Sequence, residues 1–210
     1  MRLPRALRQW LQRELIKFIT EGIEVQICVL PGGRRPKRMS SGAIGYDVFL
    51  RRLVSAFDMD PADKRLRKTT FDFEHIPDDP KVARHIFRGE DRALRYRLEP
   101  GETVLVDIGI ATALPLAQMF EWMTPRSGLA SKHRIVIRNA PGTIDADYRG
   151  VAGALTLNEG SDPFVLEQGM RIAQIIFQLG IFPEFVEVPT LDDLGGTVRG
   201  SGGFGSTGFK

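Results

Sequence analysis

The sequence is short of sulfur and imidazole: its 210 residues include one cysteine, Cys28, and three histidines. A lone thiol excludes a disulfide framework within the chain and fits a reducing, cytoplasmic compartment. No C-x-x-C or H-x-x-x-H spacing occurs, which argues against a zinc site. Long apolar runs are missing too. No segment reads as a membrane span, the N-terminus has no signal-peptide core, and no membrane partner is expected. Charge of one sign is scarce, with 29 Lys and Arg against 26 Asp and Glu and a formal net charge of +3. Proteins that coat nucleic acid carry a denser basic face, so stable nucleic-acid binding is not expected.

Turn formers are plentiful. Thirteen Pro and 22 Gly punctuate the chain, as in a fold of short strands. Ile23 to Leu30 alternates apolar and polar residues and reads as a strand. Further strands are expected over Thr103 to Leu114, Arg134 to Ile137, Gly153 to Leu157, Phe164 to Leu166 and Ile172 to Phe177, with a turn at Glu99 to Glu102. Residues 3 to 20 predict a helix. Leu3, Leu7, Leu11, Leu15 and Phe18 recur at three- and four-residue spacing, and Gly22 is the stop. Docking on its own domain or a neighbouring subunit is the favoured role. A membrane-surface role is the alternative, because Arg2, Arg5, Arg8, Arg13 and Lys17 fill the other face. Residues 58 to 97 are rich in charge and poor in alternation. They read as an insertion or arm, with a short helix from Pro80 to Phe87 capped by Asp78 or Asp79.

Four stretches look chemical. Pro125-Arg126-Ser127-Gly128 puts a guanidinium, a hydroxyl and backbone N–H groups in one turn, a cradle for an oxyanion. Asn139 to Gly150 reads as a hairpin carrying Asp145, Asp147 and Tyr148. Gly169 to Gln174 enters a strand whose amide, Gln174, needs a partner. The terminal run from Arg199 combines one cation, small hydroxyls, an aromatic ring and many glycines. Disorder is its default reading, and a lid over a nucleotide is the sharper one.

Together and in this order, with Ala43-Ile44-Gly45-Tyr46-Asp47 ahead of them, these stretches resemble the five motifs of the homotrimeric dUTP diphosphatase (dUTPase) family, within the dUTPase/dCTP deaminase superfamily. The resemblance covers about residues 36 to 55 and 98 to 208. It implies an all-β fold, a dUTPase-like β-clip or jelly-roll barrel assembled as a trimer with sites at subunit interfaces. The implied organisation is an N-terminal helix at 1–22, a β domain at 23–57 and 98–198, the charged insertion at 58–97, and a glycine-rich tail at 199–210.

The resemblance also implies roles. Asp145 activates the water that attacks the α-phosphorus of dUTP, with Mg²⁺ held by the triphosphate and water. Asp47 touches the water shell of that metal. Arg126, Ser127, Gly128 and Gln174 contact phosphates. Asn139 and the backbone of Gly142, Thr143 and Ile144 read uracil, and Tyr148 packs beneath the deoxyribose. Arg199, Phe204, Gly205, Ser206 and Thr207 form the closing tail. The nearest rival is a dCTP deaminase, alone or bifunctional. Its proton-moving glutamate aligns with Leu155, which has no acid–base chemistry, so no deamination is expected. A regulatory nucleotide-binding trimer that engages a protein partner through 58–97 is the rival from another class.

Overall fold

The computed structural model describes residues 4–20, 23–54, 58–59, 66–67 and 69–202. The helix stop at Gly22 and the tail residues Phe204, Gly205, Ser206 and Thr207 lie outside the described residues. The chain divides into two units, after Gly180.

Among the described residues of the first unit, strands outnumber helices sixteen to three. In chain order, α1 (Arg5–Thr20) is followed by β1 (Gln26–Val29), β2 (Tyr46–Phe49), β3 (Arg52–Val54), β4 (Asp58–Met59), β5 (Leu66–Arg67) and β6 (Thr70–Phe71). Then come α2 (Pro80–Ala83), β7 (Ile86–Arg88), β8 (Leu94–Leu98), β9 (Thr103–Asp107), β10 (Ile110–Ala113) and β11 (Met119–Pro125). The unit closes with α3 (Ser127–His133), β12 (Ile135–Ile137), β13 (Gly142–Asp145), β14 (Gly153–Asn158), β15 (Phe164–Leu166) and β16 (Arg171–Leu179).

Two sheets dominate, ordered β13-β11-β16-β2 and β12-β14-β9-β3-β6. Alternating side chains from both, among them Val48, Met123 and Ile175 from the first and Leu53, Val106 and Ile137 from the second, meet in one buried cluster. That period of two is clearest in β11, β12 and β14, which bury every second residue. The expected all-β class with a helix near the N-terminus is what the structure shows.

Several expectations are corrected. The run from Thr103 to Leu114 is two strands. Gly109 turns the chain with φ +70°, and Asp107 Oδ1 accepts the Gly109 N–H at 2.7 Å. Half of the run therefore pairs with β14 and β3, and half with β1. Arg51 and Arg52 fix that corner, each with a guanidinium on Asp107 Oδ2, at 3.2 and 2.6 Å.

Of the 58–97 segment, the part described from Thr69 onward packs on the domain. Phe71, Phe73, Val82, Leu94 and Tyr96 belong to the buried core. β6 pairs with β3, and β8 pairs with β15. The helix expected over Pro80 to Phe87 stops at Ala83. Asp79 caps it, its Oδ1 accepting the Lys81 N–H at 3.0 Å, and Ile86–Arg88 is a strand.

In the second unit a turn of 3-10 helix, η1 (Leu191–Leu194), is fixed by Asp193, whose Oδ2 accepts from the Thr190 N–H at 3.0 Å and hydroxyl at 2.7 Å. Ile181, Phe182, Phe185, Val186, Leu191 and Val198 are exposed along it. The last strand ends at Leu179, well short of the domain end expected at residue 198.

Candidate active site

The three chemical stretches before the tail, and Asp47 with them, lie on or beside the four-stranded sheet. β16 is its spine. Asp47 of β2 sits opposite Gln174, and Gln174 sits opposite Thr124 of β11. Asp47 is nearly buried, and its Oδ2 receives two guanidiniums, Arg171 Nη1 at 3.0 Å and Arg126 Nε at 3.1 Å. Arg126 is fixed again by donating from Nη1 to the Arg171 carbonyl at 2.9 Å. A carboxylate between two cations offsets part of their charge and pre-orients both, while Arg126 stays partly open to solvent. Arg171 was not singled out from the sequence. Its signal was the cation two residues after Gly169, at the strand entry, where a bulge between Arg171 and Ala173 turns it toward β2.

The turn expected at Pro125 to Gly128 is the entry to α3. Ser127, Gly128 and Leu129 precede the first intrahelical bond, Ala130 N–H to the Arg126 carbonyl, so their N–H groups have no partner in the helix. Added bulk at Gly128 would meet nothing within 4 Å. Unpaired donors beside an anchored cation suit an anion.

Gln174 finds its partner by donating from Nε2 to the Pro125 carbonyl at 3.1 Å. Its Oε1 lies 2.3 Å from where a Cβ on Gly45 would stand. Gly45 is thus required by close approach, and it joins the Ala43–Asp47 stretch to the one that ends at Gln174.

Asn139 to Gly150 is not a hydrogen-bonded hairpin. β12 belongs to the five-stranded sheet and β13 to the four-stranded one, so the segment is a corner between them. β13 pairs only with β11, with Asp145 opposite Phe120 and Gly142 opposite Met123. It is an edge strand, so alternate backbone groups along its free side are unpaired. Asn139 Nδ2 lies 2.9 Å from where a Cβ on Gly142 would stand, which places that amide against the start of the edge. Asp145 ends β13 exposed, and its carboxylate has no hydrogen bond or ion pair among the described residues. The next turn closes with the Tyr148 N–H on the Asp145 carbonyl at 3.1 Å, and the Tyr148 hydroxyl donates to the Val151 carbonyl at 3.2 Å. Its ring lies over Gly150, where a Cβ would come 2.3 Å from the hydroxyl oxygen.

β11 serves as a ruler. Asp145 is opposite Phe120 and Arg126 follows Pro125, so the two are six residues apart along an extended strand, roughly 20 Å. One chain therefore gathers Asp47, Arg126 and Gln174 at one end of the sheet and Asp145 and Tyr148 at the other. Arg199 lies in the second unit, exposed, its Nε donating to the Gly202 carbonyl at 2.8 Å.

A cavity of about 510 Å³ opens beside Ile27, Tyr46, Thr112, Met119 and Phe177, and none of the expected site residues line it. Among the described residues, metal-type side chains cluster only at exposed Asp72, Glu74 and His75. There Asp72 Oδ1 is occupied by the backbone N–H groups of Glu74 and His75.

Comparison with known proteins fits this arrangement. Residues 92–208 match the family model described as dUTPase. The deoxyuridine 5'-triphosphate nucleotidohydrolase of Rickettsia bellii (strain OSU 85-389) is 50% identical over 112 residues, 53% of this chain and 71% of that protein. That of Rickettsia canadensis (strain McKiel) is 51% identical over 109 residues, 51% of this chain and 70% of its own length. Among solved structures, a mutant dUTPase of Staphylococcus bacteriophage 80alpha with dUpNHpp superposes with a TM-score of 0.62. It is 22% identical and covers 88% of this chain and 98% of that one. A mutant dUTPase from phage phi11 of S. aureus, studied for a structural Mg(II) ion, gives 0.55 at 19% identity over 80% of this chain and 99% of that one. The two structures share the fold, and the matched stretch holds every expected site residue except Asp47: the chain belongs to the dUTPase family.

Proposed function

We propose that this chain hydrolyses dUTP to dUMP and pyrophosphate. Water attacks the α-phosphorus, a new P–O bond forms, the bond to the bridging oxygen of the β-phosphate breaks, and pyrophosphate leaves. Family membership supports the reaction. The observation that carries the residue assignment is an edge strand, β13, ending in a carboxylate with no partner of its own. Asp145 accepts the proton of the attacking water. The free side of β13 at Gly142, Thr143 and Ile144, with the Asn139 amide, offers fixed donors and acceptors to uracil. Cytosine reverses that pattern at its 4-position and would leave a buried group unsatisfied. Tyr148, held by the Val151 carbonyl, packs under C2′ and excludes a 2′-hydroxyl.

Arg126 and the N–H groups of Ser127 and Gly128 neutralise the phosphates, with Gln174 holding the turn. Arg199 and the tail residues Phe204, Gly205, Ser206 and Thr207 close over the nucleotide. Magnesium fits this donor set because a hard, hydrated ion on a triphosphate needs few protein ligands. Asp47 Oδ2 is committed to two arginines, so its other oxygen would be the one free to meet the water shell of a bound magnesium. When bound, the ion withdraws charge from the phosphates.

Leu155 faces Leu105 across the β14–β9 ladder and brings no acid to that strand, which supports hydrolysis over deamination. With magnesium, the protein should release pyrophosphate from dUTP and far less from dCTP, dTTP or UTP. Ammonia from dCTP, or no pyrophosphate from dUTP, would overturn the reading.

The reading extends to a homotrimer. The roughly 20 Å of strand between Asp145 and Arg126 within one chain supports a site completed by a second subunit, and the exposed apolar residues of 181–198 support assembly. Asp145→Asn and Arg126→Ala chains, each inactive alone, should regain activity when refolded together. If each site takes Arg126 from one subunit and Asp145 from the next, about a quarter of the sites in an equal mixture are intact. Zero recovery in verified mixed trimers would place both residues in the same chain's site.

A further inference from the structure

Helix α1 buries none of its described side chains. Every described side chain from Pro4 to Glu14 is exposed, including Leu7, Trp10 and Leu11. At 100° per residue, Trp10, Leu7 and Leu11 form a stripe about 100° wide. Arg8 stands about 60° beyond one edge and Arg13 about 60° beyond the other, with Arg5 on the back. The first turn carries no acidic residue. Arg5 therefore sits at the positive end of the helix dipole, where it disfavours an isolated helix. A negatively charged surface reverses that penalty.

We propose that α1 binds an anionic lipid surface, lying in its plane with Leu7, Trp10 and Leu11 inserted at the headgroup level. The charge pattern selects this occupant. An apolar stripe flanked by arginines on both sides matches a flat interface, where cations at the rim meet phosphates while a tryptophan sits at the boundary. A second copy packing on the same stripe would bring Arg8 and Arg13 of both helices together. Glu14 projects into the stripe between Trp10 and Leu7 and opposes binding. It thus predicts the direction of its own substitution.

The full-length protein is tested by sedimentation with vesicles of pure phosphatidylcholine and with vesicles containing phosphatidylglycerol. Binding is expected only to the anionic vesicles, weakening as salt rises from about 0.1 to 0.5 M. The double variant R8E/R13E and the single variant W10A should each lose about tenfold or more in affinity, and E14Q should gain. Circular dichroism and melting temperature confirm that each variant is folded. Equal binding to neutral vesicles, no binding to either, or binding indifferent to these substitutions would overturn the proposal. So would a drop in the number of subunits per particle on deleting residues 1–20, which would assign the stripe to a second copy.

Discussion

Asp145→Asn is expected to cut the turnover of dUTP by about 10² to 10⁴, the usual contribution of a positioned general base. The amide keeps the shape of the carboxylate but takes no proton from water. Because the Asp145 side chain has no hydrogen bond or ion pair among the described residues, the fold loses nothing by the change. Single-turnover rates should fall while the dissociation constant for a non-hydrolysable dUTP analogue and the melting temperature stay near wild type. A parallel loss of binding would mean that the residue holds substrate, and an unchanged rate would remove it from the mechanism.

Glu121→Met is expected to stabilise the protein, and increasingly so as pH rises. Glu121 is fully buried on β11, between Met119 and Met123, and neither carboxylate oxygen has a hydrogen-bond partner. Burial pushes its acidity well above the usual glutamate range, against a smaller opposing pull from the neighbouring Thr112 hydroxyl. The folded state thus holds a proton that the unfolded chain gives up at ordinary pH. Native stability is highest below the normal glutamate range and falls as pH climbs through it, until the buried group itself ionises. Methionine removes that dependence together with an unsatisfied polar group, a gain of about 1–3 kcal/mol. Melting temperature, followed from pH 5 to 8 at fixed protein concentration, should show a widening gap in favour of the variant. A gap that is zero or narrows with pH would mean that a partner satisfies the carboxyl.

These two residues mark the limits of what the sequence alone discloses. Asp145 is legible because its chemistry is local: a carboxylate, a glycine turn and a tyrosine occur within a few residues. Glu121 is not, since an acid in an alternating strand reads as solvent-facing. Its burial follows from Met119 and Met123, whose inward positions leave it no other side. The core contribution of the described part of 58–97 is hidden for a related reason. Leu94, Tyr96 and Leu98 alternate with Arg95 and Arg97, and the core takes the first set, but dense charge hides so short a period. Arg95 meanwhile answers Asp91 and Glu167 at the surface. The corner from β12 to β13 looked like a hairpin because turn residues announce a reversal without naming the strand that will be paired. Arg171 was passed over because its partner, Asp47, lies 124 residues away.

That distant pairing has a consequence for how the family's chemistry can change over time. One oxygen of Asp47 restrains both Arg126 and Arg171, so the three positions are not independent characters. Loss of the acid slackens two cations in one step, and loss of either cation leaves the other facing the acid alone. Paired substitutions among them should be strongly epistatic, the second costing much less than the first. Drift at this end of the sheet is thereby channelled into few routes, since a lineage that alters one member gains little by keeping the other two.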